Sequence, residues 1–262
     1  QIRDFGFDEW ETIKSSTSGS TEQYDVPKGL YGTSNPGIMT INEMFGSNLP
    51  ELFSYTVSPV EGQSGKAAKL QTVYTYMFLN GMDFNALLGG LVPYVTAGSL
   101  FTGIFKTDMN NTLNSTKFGV PFVGEPATFT GYYKYTPGTT YYNNKNEVVA
   151  DKTDECSIYA VLYEELLDEE NNNIPLNGDY NDPDLYIGSS KRIVMKAVLE
   201  DGTAKSDWTK FSIPFKLLEG KSYDATKKYY LAIVCSSSAE GDYFMGAPGS
   251  TLFIDSFTVT PQ

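Results

Sequence analysis

One carboxylate in the sequence lies where a carboxylate is energetically unfavourable. Asp255 follows the apolar run from Leu252 to Ile254 and precedes Phe257 and Val259. Side chains alternate between the two faces of a strand, so either face would put this carboxylate beside apolar neighbours. A buried carboxylate without a partner costs several kcal/mol or stays protonated. Asp255 therefore needs strong hydrogen-bond donors or a bound cation, and hard oxygen ligands favour calcium.

The sequence contains no histidine. This excludes Ser-His-Asp and Cys-His catalysis and removes imidazole as a zinc ligand. Hydrolysis of a glycoside would instead need two carboxylates that flank the scissile bond. Among the 32 acidic residues, Glu125, Asp207 and Asp242 lie in suggestive surroundings, but a loop salt bridge, a strand cap or a turn hydrogen bond explains each of them as well. The sequence alone selects no catalytic pair.

Aromatic side chains offer a second kind of chemistry. Tyrosine numbers 19 and aromatic residues make up 14% of the chain, and aromatic faces can stack on the C–H faces of pyranose rings. The densest group is Tyr132, Tyr133 and Tyr135, followed after a turn by Tyr141. In a strand Tyr133 and Tyr135 would share one face and Tyr132 the other, so some of these rings must point outward. For each ring taken alone, packing in the core is the alternative.

The loop from Asn177 to Asp184 has alternating oxygen side chains that resemble an EF-hand loop. Its sixth position is Asp182 where that motif requires glycine, and its twelfth is Gly188 where the motif requires glutamate. We therefore predict a solvated acidic loop here.

The charge balance limits the possible partners. The chain has 19 basic and 32 acidic residues and a net charge of −13, which repels polyanions, so nucleic acid is not expected as a partner. Cys156 and Cys235 each lie in a strand-like run, where two small buried side chains are expected and a disulfide is the alternative. No run reaches transmembrane length, and the start at Gln1 is expected to be that of a trimmed or mature chain whose secretion signal is out of view.

The elements that would position these side chains are β-strands. Eight runs rich in β-branched and aromatic residues are separated by turn signals. They cover residues 67–75, 98–107, 128–135, 156–166, 191–200, 209–217, 228–236 and 250–260, with weaker runs at 37–42 and 53–57. No convincing amphipathic helix is present, because glycines interrupt the apolar run from Asn80 to Leu91. The pattern predicts an all-β sandwich.

Side-chain alternation assigns faces to two of these strands. Phe211, Ile213 and Phe215 fall on one face of their run and polar residues on the other, as in a half-buried strand. The run 228–236 is apolar on both faces, which predicts a central strand covered by the second sheet and by a loop such as 81–94. No linker or internal repeat divides the chain, so residues 1–262 are expected to form a single domain.

Several segments together resemble one known family. They are AAKLQT at 67–72, AGSLFTG at 97–103, FGVPF at 118–122, GYYKYTPG at 131–138, the strand from Trp208 to Phe215, and the ending from Ser236 to Val259. In this combination the chain resembles the PCMD domain, the "putative carbohydrate metabolism domain" of Bacteroidetes surface proteins. The resemblance implies a jelly-roll β-sandwich of two antiparallel sheets. One departure is Glu125-Pro126, where the family pattern leads us to expect Arg-Pro.

The resemblance also implies candidate ligand residues. The glycine-rich loop from Pro27 to Gly37 is similar to a Gly-aromatic-x-x-x-Asn stretch of the family, which makes Tyr31 and Asn35 candidate carbohydrate ligands, with loop-structuring roles as the alternative. Trp208, in the family-like late strand, joins them and the tyrosines as a candidate.

A structural calcium ion is implied in the same way. Many carbohydrate-binding jelly rolls hold calcium between an aspartate on the last strand and an acidic residue that follows an aromatic residue on the first strand. Asp255 and Asp8 match these two positions, and Asp4 lies nearby. The alternative is that backbone amides or a lysine satisfy these carboxylates.

The function expected from these observations is non-catalytic binding of a neutral glycan by a cell-surface or secreted Bacteroidetes protein. Stacking supplies apolar contact, while the negative field of the chain disfavours anionic ligands. The alternatives are a glycoside-active enzyme that uses two carboxylates and a structural or interaction module of a surface assembly.

Overall fold

Strands dominate residues 3–262, the part of the chain that the structure, a computed structural model, describes. In chain order they are β1 Arg3–Asp4, β2 Trp10–Lys14, β3 Gln23–Pro27, β4 Tyr31–Thr33, β5 Val57–Glu61, β6 Lys66–Gln71, β7 Val73–Tyr74, β8 Phe78–Leu79, β9 Met82–Asp83, β10 Val95–Thr96, β11 Ser99–Phe105, β12 Thr116–Phe118, β13 Val120–Phe122, β14 Pro126–Thr136, β15 Ser157–Glu164, β16 Ile193–Val198, β17 Lys205–Pro214, β18 Lys216–Leu217, β19 Tyr229–Ser236 and β20 Thr251–Pro261. The helices are α1 Asn35–Phe45 and α2 Phe84–Leu87, with 3-10 turns at Gly46–Asn48, Thr112–Ser115 and Gly241–Tyr243.

Two sheets form the body of the molecule. The smaller sheet has the order β17-β14-β20-β6-β5, and β1 also pairs with β20. The larger sheet has the order β12-β11-β19-β15-β16-β18, with β4 also on β11 and β13 also on β19. All the strand pairs in both sheets are antiparallel. The prediction of an all-β sandwich of two antiparallel sheets is confirmed.

The inner faces of the two sheets share one apolar core. Phe129, Phe211 and Phe257 contribute from the smaller sheet, and Leu162 and Leu231 contribute from the larger one. The inward position of Phe211 agrees with the alternation predicted for its strand. Because both sheets pack on the same core, each holds the other in place and fixes the loops that join them.

Strand β20 carries a bulge that changes which side chains face the core. Its register with β14 shifts between Thr130 and Tyr132, and Ser256 has a positive φ of 54°. In an unbroken strand Ile254 and Phe257 would point to opposite faces. With the bulge between them, both are fully buried in the core between the sheets.

Most of the predicted strands are confirmed, but the two weaker ones are not. Residues 37–42 lie in helix α1, which starts with Pro36 in its first turn and buries Ile38 and Ile41. The prediction of no amphipathic helix is therefore wrong at this segment. The run 53–57 is also misplaced, because β5 begins only at Val57.

Strand β19 is central, as predicted, but its outer cover differs from the prediction. Its outer face packs in a second apolar cluster that includes Leu176 and Ile187 from the long connection after β15. The segment 81–94 lies elsewhere and packs through Val92 against Ile41 of helix α1.

Both cysteines are buried free thiols in the core between the sheets. Burial raises the pKa of the Cys156 thiol to about 12, so it stays protonated at neutral pH. This agrees with the expectation of two small buried side chains. Within residues 3–262 no helix has the length and apolar character needed to cross a membrane.

Candidate functional site

A cleft of about 200 Å³ opens on the outer face of the larger sheet. Its walls are helix α1, the segments 91–99 and 105–116, and the turn 241–244, while Phe101 contributes from β11. The walls are mostly apolar, and two methionines at the cleft, Met44 and Met109, are about half exposed. Mostly apolar walls with a few polar groups are typical of small-ligand sites.

The sheet positions the aromatic base of the cleft. Phe101 pairs in register with Gly32 on β4, and a Cβ atom on Gly32 would lie 2.8 Å from the Phe101 ring. Glycine at this position therefore lets the ring lie against the neighbouring strand. On its other side Phe101 pairs with Val234, which in turn pairs with Tyr159. These three side chains form a row across the outer face of the larger sheet.

Of the described residues that line the cleft, Asp242 is the one carboxylate. It lies on the 3-10 turn Gly241–Tyr243 and remains accessible from the cleft. The surrounding protein desolvates this carboxyl group and raises its pKa above the ordinary value, although the Tyr186 hydroxyl, 3.5 Å away, favours the ionised form. A carboxylate with a raised pKa in a cleft is a property of functional sites.

The backbone beside Asp242 adopts an unusual conformation. Phe244 lies in the left-handed region, with φ 58° and ψ 37°, and its side chain lines the cleft. Such a conformation in a bulky residue costs on the order of 1–3 kcal/mol and is found preferentially at ligand sites. The turn is therefore held in a shape that local preference alone would not select.

A second acidic side chain lies close to this turn. Asp179 is nearly buried, and its carboxylate accepts hydrogen bonds from the Asn111 side chain at 2.6 Å and the Asn181 amide at 2.9 Å. These donors lower the pKa of Asp179. The adjacent Tyr180 ring packs against Tyr243, with ring centroids 5.2 Å apart. The prediction of a solvated acidic loop is therefore wrong for Asp179, because its carboxylate is bonded and buried.

Comparison with known proteins identifies the family. The family model described as "PCMD: Putative carbohydrate metabolism domain" matches residues 6–260. The chain belongs to the PCMD family. No curated protein is significantly similar to this PCMD domain.

Two solved structures resemble this PCMD domain over most of its length. One, described as a putative glycoside hydrolase from Bacteroides thetaiotaomicron VPI-5482, is 29% identical, covers 99% of this chain and 71% of its own, and has a TM-score of 0.75. The other, described as a putative glycoside hydrolase from Bacteroides vulgatus ATCC 8482, is 26% identical, covers 97% of this chain and 96% of its own, and has a TM-score of 0.70. This PCMD domain therefore shares its fold with two Bacteroides proteins that are described as putative glycoside hydrolases.

Three segments that carry the PCMD resemblance meet at the cleft. The loop 27–37 contributes Ser34, the segment 97–103 contributes Ser99 and Phe101, and the chain ending contributes Asp242. Hydrogen bonds join two of these segments, because the Ser34 amide and the Ser99 carbonyl are 3.0 Å apart and the Ser99 amide donates to the Ser34 hydroxyl at 2.9 Å. Segments that carry the family resemblance therefore contribute part of the cleft lining.

The predicted loop residues do not reach the cleft themselves. Tyr31 is buried, and its hydroxyl donates to the Phe5 carbonyl at 2.5 Å. Asn35 is fully buried and bonds the Val57 backbone with both its amide nitrogen and its carbonyl oxygen. The structure favours the loop-structuring alternative for both residues. Ser34, which the sequence pattern does not single out, is the loop's polar contribution to the cleft.

Three of the predicted tyrosines are also buried. Tyr133 and Tyr135 share one face, as predicted, but that face points into the core between the sheets. Their hydroxyls bond the carbonyls of Asp201 and Ser237 at 2.9 and 2.8 Å. Tyr141 is buried with its hydroxyl on Glu240. The expectation that these rings form an outward platform is wrong, because none has an exposed face.

Tyr132 and Trp208 are half-buried side chains of the smaller sheet. The Lys134 ammonium lies 5.0 Å from the centre of the Trp208 ring and 4.8 Å from that of Phe253. These residues belong to the other sheet from the one that carries the cleft, so the predicted carbohydrate residues do not form one site. Carbohydrate binding by Tyr132 and Trp208 stays a prediction.

The predicted calcium ligands are only partly brought together. Asp255 is 2% exposed and accepts a hydrogen bond from the Ser64 amide at 2.9 Å, while Asp8 accepts one from the Lys66 amide at 3.0 Å. Both carboxylates therefore contact the same turn, whereas Asp4 bonds the amide of its near neighbour Gly6. Within the described residues no three acidic, histidine or cysteine side chains converge on one metal position. Calcium stays a prediction that would need backbone oxygens of the turn as further ligands.

A calcium ion held by Asp8 and Asp255 would stabilise the folded chain by linkage, by about 2.7 kcal/mol at a free concentration 100 times Kd. The melting temperature should then be higher in excess calcium than in EDTA, and the difference should vanish in Asp255→Asn. Identical melting curves in both conditions, together with no metal by elemental analysis, would mean that protein donors satisfy these carboxylates.

Proposed function

We propose that this PCMD domain binds a neutral glycan in the cleft on the larger sheet without cleaving it. The observation that carries the proposal is a mostly apolar cleft, lined in part by segments that carry the family resemblance, with one solvent-accessible carboxylate, Asp242. The proposal includes an extracellular or cell-surface location, as expected for a protein whose ligand is an external polysaccharide.

The cleft offers the two kinds of contact that a sugar ring needs. Phe105 and Phe244, which are half-buried at the cleft, supply apolar surface for the C–H faces of a pyranose. Asp242 supplies a carboxylate that can accept hydrogen bonds from sugar hydroxyls. Hydrogen bonds to a charged group contribute about 1.5–3 kcal/mol, more than those between neutral groups. Asp242 should therefore provide the largest polar contribution to affinity.

Binding without cleavage is favoured by the number of free carboxylates. Glycoside hydrolysis commonly needs an acid and a second carboxylate on opposite sides of the scissile bond. Asp242 is the carboxylate that the described cleft presents, while the carboxylate oxygens of Asp179 are held by Asn111 and Asn181. A bound glycan would thus meet one free carboxylate.

The second candidate function is glycoside hydrolysis with Asp242 as the general acid. A raised pKa is what a general acid requires at neutral pH, and Asp242 has one because of desolvation. Asp179, on the loop that packs against the Asp242 turn, would be the second carboxylate. The description of two Bacteroides relatives as putative glycoside hydrolases supports testing this candidate.

Asp242→Asn is expected to weaken binding about tenfold or more, because a neutral amide replaces a charged acceptor. The affinity of the wild type should fall as the pH is lowered through the pKa of Asp242, because protonation removes the charged acceptor. Since this pKa is raised, the loss of affinity should begin at a higher pH than it would for an ordinary aspartate. Asp242→Asn should show no such pH dependence. Calorimetric titration with ligands selected on a glycan array measures both effects, and Asp184→Asn, an exposed acid, is the matched control.

The same samples separate the alternatives. Release of new reducing ends from the bound glycan, abolished by both Asp242→Asn and Asp179→Asn, would replace the binding proposal by hydrolysis. If the wild type neither binds nor cleaves any glycan, the remaining candidate function is that of an interaction module in a surface assembly.

A further inference from the structure

A row of aromatic rings lies along the surface next to the cleft. Tyr74, Tyr76 and Phe78 follow one another at every second position of one extended segment, so their side chains point to the same side. The ring centroids are 5.6 Å apart between Tyr74 and Tyr76 and 6.1 Å apart between Tyr76 and Phe78. Tyr142 continues the row at 4.9 Å from Tyr74. These four rings are called the aromatic strip below.

The aromatic strip is open to solvent on a fixed backbone. Phe78 is 60% exposed, and the three tyrosines are half-buried. The intervening Thr75 and Met77 are fully buried, which anchors the segment. This arrangement presents the rings outward with little freedom to move, and a ligand would lose little conformational entropy of the protein on binding.

Hydrogen bonds hold the tyrosines at both sides of the strip. The Tyr74 hydroxyl donates to the Asn146 side chain at 2.5 Å. Tyr94 packs beside Tyr76, with centroids 5.6 Å apart, and its hydroxyl donates to Asp83 at 2.7 Å, which raises the pKa of Tyr94 to about 12. These hydrogen bonds orient the rings of Tyr74 and Tyr94.

Two segments of the chain join the aromatic strip to the walls of the cleft. Pro93 and Thr96 line the cleft, and Tyr94, which lies between them in sequence, packs on Tyr76 of the strip. At the other end Tyr142 exchanges two backbone hydrogen bonds with Gly246, four residues after Asp242. These two segments of the chain therefore connect the cleft walls with the strip.

The shape and charge of the strip limit what it can bind. It is a line one ring wide in which neighbouring rings pack on one another at tilts of 23° to 44°, and so narrow a line suits a narrow polymer better than the broad surface of a protein. Tyrosine offers both an apolar face and a polar edge. The net charge of −13 disfavours an anionic polymer.

We infer that the aromatic strip extends the cleft into a longer site for an extended, uncharged polysaccharide. This rests on the proposed glycan binding of the cleft and adds the class of ligand, a polymer of several sugar residues. The cleft holds the part of the polysaccharide nearest Asp242, and the strip holds the sugar residues that follow.

The test compares ligands of different length. The probes are xylan, mannan, mixed-linkage β-glucan and starch, each with its hexasaccharide and disaccharide, titrated against the wild type, Phe78→Ala, Tyr76→Ala and Asp242→Asn. For the glycan that binds, the two strip variants should lose about tenfold or more in affinity for the hexasaccharide and polysaccharide and none for the disaccharide. Asp242→Asn should weaken binding of all lengths. Tyr24→Ala, which truncates a half-buried tyrosine of the β2–β3 hairpin, is the matched control.

Phe78→Ala is the decisive variant because its side chain is mostly exposed, so its melting temperature should equal that of the wild type. Wild-type affinity of both strip variants for the long ligands would overturn the inference and leave the cleft proposal intact. Loss of long-chain binding in the strip variants with no effect of Asp242→Asn would support the strip as a binding surface and overturn the role of the cleft. Failure of the wild type to bind any of the probes would overturn both.

Discussion

Replacing Asp154 by alanine is expected to lower the free energy of unfolding by about 3–5 kcal/mol. Asp154 is 2% exposed. Its Oδ2 accepts hydrogen bonds from the hydroxyls of Ser238 and Ser250 at 2.6 and 2.7 Å and from the Ala247 amide at 2.8 Å. Its Oδ1 accepts one from the Glu155 amide at 2.9 Å. Alanine would leave these donors without their acceptor in a buried environment.

Urea denaturation of Asp154→Ala, with the exposed Asp184→Asn as control, measures this loss. Burial raises the pKa of Asp154 despite its donors. A folded-state pKa above the unfolded value means that this group adds stability as the pH falls through it, so the difference between wild type and variant should widen toward lower pH. A loss below about 1 kcal/mol would contradict the assignment of Asp154 as the acceptor at this junction.

The strands were predictable because their patterns are local. In the run 209–217 the core-facing Phe211 and Phe215 alternate with polar residues, and in β19 both faces are apolar. Each pattern therefore indicates how many faces of the strand are covered. Neither strand depends on an unusual backbone conformation. Their existence and type therefore follow from the sequence, with ends accurate to a few residues.

Helix α1 was missed because its stability is tertiary. Its sequence contains Gly37 and the β-branched Ile38, Thr40 and Ile41, which favour helix only weakly. An isolated helix of 11 residues is marginal in water. What stabilises it is the burial of Ile38 and Ile41 against the rest of the chain, which the sequence does not reveal.

The tyrosines also show that burial depends on tertiary contacts that the sequence does not reveal. The segments Tyr133-Lys134-Tyr135 and Tyr74-Thr75-Tyr76 have the same alternation, yet the first buries its tyrosines and the second exposes them partly. The difference is that β14 is flanked by strands on both sides and covered by the second sheet, whereas Tyr74 lies in a short pair with β10. Composition thus predicted that some tyrosines face solvent but could not identify which.

Asp242 illustrates why the sequence predicts only part of the candidate site. Several acidic residues lie in similarly suggestive sequence surroundings, and nothing near Asp242 in the chain indicates the cleft. Its surroundings come from distant segments, because Ser34, Phe101 and Met109 line the same cleft. The raised pKa of Asp242 is a consequence of that assembly and has no local signature.

The bulge in β20 changes which of its side chains face the core. Leu252 and Ile254 face the core, and with strict alternation Phe257 would point away from it on the same side as Phe253. Ser256, at a φ of 54°, inserts the extra residue that turns Phe257 inward. No glycine or asparagine stands at this position to signal the conformation.

Phe257→Ala is therefore expected to lower the free energy of unfolding by about 3–5 kcal/mol, because it removes a fully buried ring from the core. Edge-to-face contacts join this ring to Phe7, Phe129 and Phe211, with centroids 5.2, 5.1 and 5.5 Å apart. Phe253→Ala truncates the same side chain on the same strand at a half-buried outer position and should destabilise much less. Urea denaturation of both variants measures the difference directly. Equal losses would contradict the bulge, because an unbroken strand puts the two phenylalanines on one face and gives them the same surroundings.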